Sequence, residues 1–283
     1  MIALAVGLSI VAAALHGTWN VLVKVSGDPI ATFRRATITA AVAATASLVP
    51  LSAIFGRPTL TWAAALLCVV SSLLETSYLW FLSTAYRRGE LSFVYPIARG
   101  SAPLLSVAVG LVLLGERLSG AQLLGVGLLL VGIASVTLAQ AGGRATVPAL
   151  LTGVMIAAYS SVDRIGVRLG TPWLYAWLLF TLMAIELPVT IWIATALKRY
   201  QAPGKGAPEW SQATVIGLFF WAGYLLVLWA FSLAPLAVVA PVREISIVAV
   251  AVWGVWRLRE RERTALKVSG AVAALFGVAL LAV

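Results

Sequence analysis

The sequence predicts an all-α integral membrane protein of ten transmembrane helices, arranged as two inverted repeats of five. Three observations carry that expectation. The first is composition. Of 283 residues 61% are hydrophobic, 11% are charged and the mean hydropathy is +1.01, whereas an average soluble protein is roughly 25% charged. A water-soluble globule cannot hide that much apolar surface. The apolar runs are also continuous, unlike the alternating segments of about 10 residues in a lipid-facing barrel. The second is a self-match at an offset of 145 residues, about half the chain. Pro96 falls on Pro241, Ser101 on Ser246, Gly125 on Gly270 and Gly132 on Gly277 without a gap, and upstream Ala85 falls on Ala230, Leu91 on Leu236 and Val94 on Val239. Self-similarity at a fixed period is the mark of a duplicated unit. The third is the alternation of basic residues between successive loops.

The predicted spans are about 3–25, 30–54, 61–85, 91–114, 120–140, 147–168, 172–196, 211–233, 236–256 and 264–283. Several are near the minimum of roughly 17–20 residues that a bilayer needs. The repeats are then 1–140 and 147–283, forming one structural unit. The N-terminus has no charged segment before its first apolar run, so it reads as a membrane helix and not as a cleaved signal. Connections are short. The longest polar one is Lys198–Trp210 (KRYQAPGKGAPEW), which leaves no room for an extramembrane domain.

Sidedness follows from Lys and Arg. The odd-numbered loops hold Lys24, Arg34, Arg35, Arg87, Arg88, Arg144, Lys198, Arg199, Lys205, Arg257, Arg259, Arg261, Arg263 and Lys267, fourteen in all. The even-numbered loops hold four: Arg57, Arg117, Arg164 and Arg168. The positive-inside rule puts the odd loops in the cytoplasm and both termini outside. It also accounts for the net charge of +10 without invoking nucleic acid. An odd number of helices per repeat requires the halves to be inverted. That explains why the GERLSG turn (115–120) carries one arginine while its counterpart, WRLRERERTALK (256–267), carries five cationic residues.

Ionisable groups inside a bilayer are costly and are functional candidates by default. On helix one, His16, Asn20 and Lys24 follow at i, i+4, i+8 and share a face, with Trp19 beside them. Such a stripe lines a watery cavity or packs as a polar ladder, and Lys24 has the option of snorkelling to the interface. His16, the only histidine, suits proton coupling with an ordinary pKa of about 6.5 and equally suits a neutral hydrogen-bonding role. Helix three places Glu75 and Tyr78 one turn apart, deep in an apolar run, so Glu75 must pair, face water or hold a proton. Glu186 on helix seven is as central and is followed by Pro188. Helix four brings Tyr95 and Arg99 after Pro96, and helix nine brings Arg243 and Glu244 after Pro241. Proline frees a backbone carbonyl one turn earlier, and broken segments of this kind line transporter sites. Two readings stand for the arginines: ion pairs such as Arg99 with Glu75 or Glu186, or guanidinium groups for a carboxylate or phosphate of the substrate. Arg243 and Glu244 point about 100° apart on a helix, so they are not expected to cancel each other simply. Helix six carries Tyr159 and Asp163 at i, i+4, with Arg164 and Arg168 as interfacial partners for Asp163. Among eleven tryptophans, Trp62, Trp173, Trp210 and Trp256 fit interfacial belts. Trp80, Trp221, Tyr224 and Trp229 lie deeper, and Trp221 with Tyr224 offers an apolar cavity wall. The glycine pairs at spacing seven on helices five and ten fit close helix packing. Cys68 is alone, which excludes an internal disulfide and a thiolate metal site, and it reads as a small buried or lipid-facing residue.

A helix ending in ALHGTWNVLVK (14–24), then YP (95–96), GERLSGAQLLGVGLLLVGIA (115–134) and a second copy of the unit, resembles the EamA-type branch of the drug/metabolite transporter superfamily over essentially the whole chain. The resemblance implies a ten-helix inverted repeat, a central cavity, alternating access and transport of small metabolites or drugs, often outward. The second repeat departs from the pattern where RLRERERTAL replaces the GER turn, so the turn itself is not expected to do chemistry.

The expected function is therefore secondary active transport in the cell (inner) membrane, with protons as a candidate coupling ion. The expected partners are a small-molecule substrate and the lipid bilayer, with the protein a monomer or homodimer. Lys24, Arg99 and Arg243 favour zwitterionic or anionic solutes such as amino acids, while Glu75 and Glu186 favour cationic or amphipathic drugs as the alternative. No cofactor or metal site is expected. There is no P-loop pattern for ATP, and one His, one Cys and no GxSxG or HExxH leave little for an intramembrane enzyme. A fixed channel is the other remote alternative.

Overall fold

The structure is a computed structural model that describes residues 1–89, 91–138, 144–200, 209–246 and 264–281. Ten α-helices are present among the described residues: α1 (Ile2–Val25), α2 (Pro29–Phe55), α3 (Trp62–Arg88), α4 (Leu91–Ala108), α5 (Gly120–Leu138), α6 (Thr146–Gly166), α7 (Pro172–Ala196), α8 (Trp210–Leu233), α9 (Leu236–Arg243) and α10 (Thr264–Leu281). Six segments are long and apolar enough to cross a membrane: α1, α2, α3, Thr146–Leu169, α7 and α8. Ile97–Leu113, Gly120–Ser135 and Val272–Leu281 are shorter apolar stretches. The predicted boundaries hold to a few residues except at the ninth span. There the helix ends at Arg243 and the chain turns through Glu244 and Ile245, their amides bonding back to the carbonyls of Pro241 and Val242 at 3.1 Å. The rest of that span (247–256), Trp256 and the basic run 257–263 lie outside the described residues.

Local chemistry sets the ends. Gly27, at φ +83°, takes the left-handed conformation that closes α1. Asp28 then caps α2 by accepting the Ile30 and Ala31 amides at 3.2 and 3.3 Å, with Pro29 in the first turn. Thr61 caps α3 in the same way through the Ala64 amide. The end of α4 is wound as a π turn, Val109–Leu113, closed by Leu114 N–H on the Val109 carbonyl.

The apolar outer faces of these helices and their buried inner faces sort by side chain. Val42, Val49, Leu73, Ile185, Val131 and Phe276 are exposed, while Phe33, Leu79, Leu179, Phe220 and Leu228 are fully enclosed. Helix packing has one regularity. α3 lies on α6 as α1 lies on α8, α4 on α6 as α9 on α1, and α2 on α8 as α7 on α3; α2 meets α7, α4 meets α9 and α5 meets α10. Each contact maps onto another, or onto itself, when the first five helices are exchanged with the last five.

The α5–α10 seam is the tightest of these. A Cβ on Gly125 would come within 2.8 Å of the Gly277 carbonyl, and one on Gly132 within 2.8 Å of the Ala274 amide and against the Gly270 carbonyl. Gly125 thus meets Gly277 and Gly132 meets Gly270, so the two helices run antiparallel with backbones in contact. Lipid offers no hydrophobic drive for helix association, so close backbone approach supplies the packing energy. Gly132→Val is expected to destabilise the protein by about 3 kcal/mol or more, since rigid backbone and not a flexible side chain must move. Gly127→Val, five residues away with open space at its Cβ, is expected to be neutral. Thermal unfolding of the two detergent-purified variants distinguishes them, and equal midpoints would show that the seam is not a tight contact.

Candidate functional site

The polar residues gather where α1, α3, α4, α6, α8 and α9 meet. Arg99 on α4 reaches across to Glu244, with Nη1 at 3.0 Å from both carboxylate oxygens. Their separation in sequence is 145 residues, so the pair consists of equivalent positions of the two halves. Arg243 Nε donates to the same Glu244 Oε1 at 3.1 Å, and its Nη2 donates to Ser160 Oγ at 3.2 Å. Arg99, Arg243 and Glu244 are all essentially excluded from solvent. Two sequence expectations are corrected here. Arg99 pairs with Glu244 and not with Glu75 or Glu186. Arg243 and Glu244 do bond each other, because the helix stops between them and the turn at Glu244 redirects its side chain.

Tyrosines surround this triad. The Tyr95 hydroxyl bonds Ser246 Oγ at 2.8 Å, and the Arg99 guanidinium lies 5.9 Å from the Tyr95 ring. Arg243 lies 5.7 Å from the Tyr159 ring, which packs edge-on against Tyr78 and Tyr224 at 5.7 and 5.9 Å. Asp163 is fully buried and accepts hydrogen bonds from the hydroxyls of Tyr175 (2.8 Å) and Tyr224. It does not pair with Arg164, as the interfacial expectation had it, because the tyrosines hold it inward. Glu75 is equally buried, and the charged groups facing it are Asp163, Arg243 and Arg99.

Within this cluster several polar atoms have no hydrogen-bond partner among the described residues: Arg99 Nη2, Arg243 Nη1, the Tyr78 hydroxyl and Glu75 Oε1. The Tyr78 ring packs on Tyr159, beside which Arg243 lies, Arg243 and Arg99 share Glu244, and Glu75 is one turn before Tyr78 on α3, so these unpaired donors and the unpaired acceptor belong to one locality. Buried unpaired polar atoms are rare in native proteins and each calls for a reason.

The stripe on helix one divides. His16 faces the cluster, its ring 6.5 Å from that of Tyr224, and Nδ1 lies 2.9 Å from the Ala12 carbonyl, so the ring is held by its own helix. Trp19 packs between Phe33 and Phe220 as a core residue. Asn20 accepts from the Tyr86 hydroxyl at 2.7 Å and donates to the His16 carbonyl. Lys24 Nζ donates to the carbonyls of Tyr86 and Gly89 at 2.7 Å, closing the last turn of α3. Glu186 lies apart from the cluster, half-buried, accepting from Ser72 (2.7 Å) and Thr76 (3.0 Å) on α3. Trp221 is half-buried and packs against the core cluster that includes Tyr224, whose hydroxyl bonds Asp163. Trp62 and Trp210 are exposed at helix ends as belt residues are, but Trp173 is buried against Phe55 and Trp229. Cys68 is buried, its thiol 3.6 Å from the Tyr175 carbonyl.

Both ends of the bundle are tied. At one end Tyr200 donates to Asp28 Oδ2 at 3.1 Å and Arg87 stacks on the Tyr200 ring; burial and the neighbouring Asp28 carboxylate push the Tyr200 phenol up to about 12. At the other, Thr59 and Thr171 bond backbone to backbone and side chain, and the turn at Glu116 grips α9. Among the described residues the first, third and seventh connections thus meet at one end and the second, fourth, sixth and eighth at the other.

Residues that sequence reasoning passed over are Ser160, Tyr175, Ser246 and Glu116. Ser246 carried a signal, since it falls on Ser101 at the repeat offset. Ser160 and Tyr175 carried none beyond a helical position.

Residues 3–138 match the profile of the EamA-like transporter family. No curated protein matches the chain. Solved structures do, 28 chains in all. One, described only as the crystal structure of a protein, is 17% identical, with a TM-score of 0.70 over 98% of this chain and 95% of its own; the likeness is one of fold.

Proposed function

We infer from a first half that belongs to the EamA-like transporter family that the chain carries small zwitterionic or anionic metabolites, amino-acid-like in size, across the cell (inner) membrane, outward, by alternating access with protons as the coupling ion. One observation carries the substrate class. Arg99 Nη2, Arg243 Nη1 and the Tyr78 hydroxyl offer three unpaired donors, and Glu75 Oε1 offers an unpaired acceptor, in the same buried locality. Guanidinium and hydroxyl donors suit a carboxylate. Glu75, backed by Asp163, suits the ammonium group of the same molecule. Tyr95, Tyr159, Tyr224 and His16 frame the site, and Glu244 holds both arginines in place. Asn20, Lys24, Trp19, Glu186 and Trp221 take no direct part.

Ten membrane crossings as inverted repeats, 1–140 and 147–283, are part of the same proposal. The antiparallel Gly125–Gly277 and Gly132–Gly270 contacts and the exchange regularity of the packing support it. An antiparallel pair of equivalent helices needs a two-fold axis in the membrane plane, which is how such carriers generate two facing states. The tyrosine ladder beside two acids favours a second reading, export of cationic amphipathic drugs.

Counterflow in proteoliposomes decides. Vesicles loaded with a mixture of unlabelled neutral amino acids are expected to take up external labelled amino acid faster than empty ones. Trans-stimulation by quaternary ammonium compounds alone would move the assignment to the second reading, and equal rates in loaded and empty vesicles would sink the carrier mechanism.

A further inference from the structure

The GERLSG turn holds a carboxylate in a position that transport would have to disturb. Glu116 Oε1 accepts the Leu236 amide at 2.7 Å and Arg164 Nε at 3.2 Å, and Oε2 accepts the Ala237 amide at 2.9 Å. Arg164 Nη1 in turn donates to the Phe231 carbonyl at 2.9 Å. One side chain from the α4–α5 turn therefore fastens the first turn of α9 and, through Arg164, the end of α6 and the last turn of α8. The fit is close. Glu116 N–H returns to the Gly110 carbonyl at 2.9 Å, and a Cβ on Gly110 would come within 2.6 Å of Glu116 Oε2 and 3.2 Å of the Ala237 amide. The π turn that carries Gly110 is what brings the carboxylate against α9. The Arg164–Glu116 pair is about nine-tenths enclosed, with side-chain exposures of 10% and 8%.

These are the elements that must part for a path to open on this side. α9 carries Arg243 and leads into Glu244, α6 carries Tyr159 and Asp163, and α8 carries Tyr224. On the alternating-access reading, a path to the buried cluster from the end holding Arg117 and Arg168 would have to open between α9, α6 and α8, which Glu116 joins. At the repeat offset of 145 the counterpart of Glu116 is Arg261, so exchanging the two halves does not put a carboxylate at the same place.

We propose that Glu116, with Arg164, is the latch of a gate on this face: closed here, it keeps the site from opening toward the even-numbered loops, and its release is the step that lets α9 move. The proposal rests on the alternating-access reading above. It predicts that loss of the latch shifts the resting protein toward the state open on the latch side.

The test uses two reporters in a Cys68→Ser background, each an alanine now buried: Ala234→Cys beside the latch and Ala85→Cys at the opposite end of α3. Both are labelled with a charged maleimide in lipid nanodiscs, where each face is accessible. Glu116→Ala and Arg164→Met are compared with the parent. Labelling at Ala234→Cys is expected to rise about tenfold in Glu116→Ala, the factor that loss of one or two charge-assisted hydrogen bonds makes in a two-state equilibrium. Arg164→Met is expected to give a smaller rise in the same direction. A rise at Ala234→Cys with a matching fall at Ala85→Cys supports both the latch and alternating access. A rise at Ala234→Cys with no change at Ala85→Cys overturns the proposal together with the alternating-access reading on which it rests. Unchanged labelling at Ala234→Cys in both variants overturns the latch and leaves the transport reading standing. A rise at both reporters overturns it as well, since that is general loosening.

Discussion

Glu244→Gln is expected to cost about 3–5 kcal/mol of stability, the largest loss from any single polar substitution in this protein. Glu244 is the only carboxylate bonded to either buried arginine among the described residues. Arg99 spans both of its oxygens and Arg243 shares one of them. Glutamine keeps the volume but removes the charge and turns an N–H₂ toward a guanidinium. Two cations would then share a space from which water is excluded, bonded to no carboxylate and held by the Tyr95 and Tyr159 ring faces and Ser160, with the Glu75 and Asp163 carboxylates nearby. Breaking a buried pair by removing one partner is far costlier than replacing the whole pair. At roughly 2–4 °C per kcal/mol, the unfolding midpoint should fall by about 10 °C in detergent. The same reasoning predicts rescue: Arg99→Met in the Glu244→Gln background should recover a good part of the loss, since it removes the stranded charge that costs most. A midpoint within about 2 °C of the parent for Glu244→Gln would mean that water reaches the pair and that the site is open in the resting protein.

That pair also shows what the sequence contains and what it conceals. The self-match at offset 145 already laid Arg99 on Glu244. Where two halves are related by a two-fold axis, equivalent residues near that axis face each other, so an arginine on one half and a glutamate on the other is a salt bridge waiting to be read. The glycines fit the proposed two-fold in crossed form: Gly125 meets Gly277, the equivalent of Gly132, and Gly132 meets Gly270, the equivalent of Gly125. Helix limits and the buried face of α3 were equally legible, because apolar length and four-residue spacing survive into the fold. The interior pairing of Asp163 was not. Periodicity places Asp163 on the same face as Tyr159, but its partners Tyr175 and Tyr224 come from α7 and α8, and no local pattern encodes which helices will be neighbours. The break after Arg243 was hidden for a different reason. Pro241 signals a weakened helix, but one proline is compatible with a kink, a stop or neither, and the outcome is set by Glu244 being drawn to Arg99. For Glu186 depth in the bilayer was visible and direction was not; its carboxylate accepts from the α3 hydroxyls of Ser72 and Thr76.

Glu75→Gln is expected to abolish the response of transport to a pH gradient while leaving exchange intact. The argument is one of charge balance. Arg99 and Arg243 bring two positive charges to the cluster, and Glu244 answers one of them. One ionised carboxylate of Glu75 and Asp163 answers the other. The second then has no cation beside it, and the cost of an uncompensated charge in a water-excluded site means that it holds either a proton or the cationic group of a substrate. Both oxygens of Asp163 accept from tyrosine hydroxyls, whereas Glu75 keeps an oxygen without a partner among the described residues. On the proposed reading, Glu75 is therefore the group expected to trade its proton for the substrate ammonium. With one proton exchanged per substrate, a gradient of one pH unit supports at most about tenfold accumulation, about 1.4 kcal/mol. Glutamine cannot ionise, so in Glu75→Gln proteoliposomes that accumulation should fall to none while counterflow continues at a reduced rate. Asp163→Asn should instead weaken both, since it strands the Tyr175 and Tyr224 hydroxyls and leaves Arg243 short of an anion. Tenfold accumulation persisting in Glu75→Gln would exclude Glu75 as the proton carrier, and its loss in Asp163→Asn alone, with exchange intact, would move that role one turn across the cluster to Asp163.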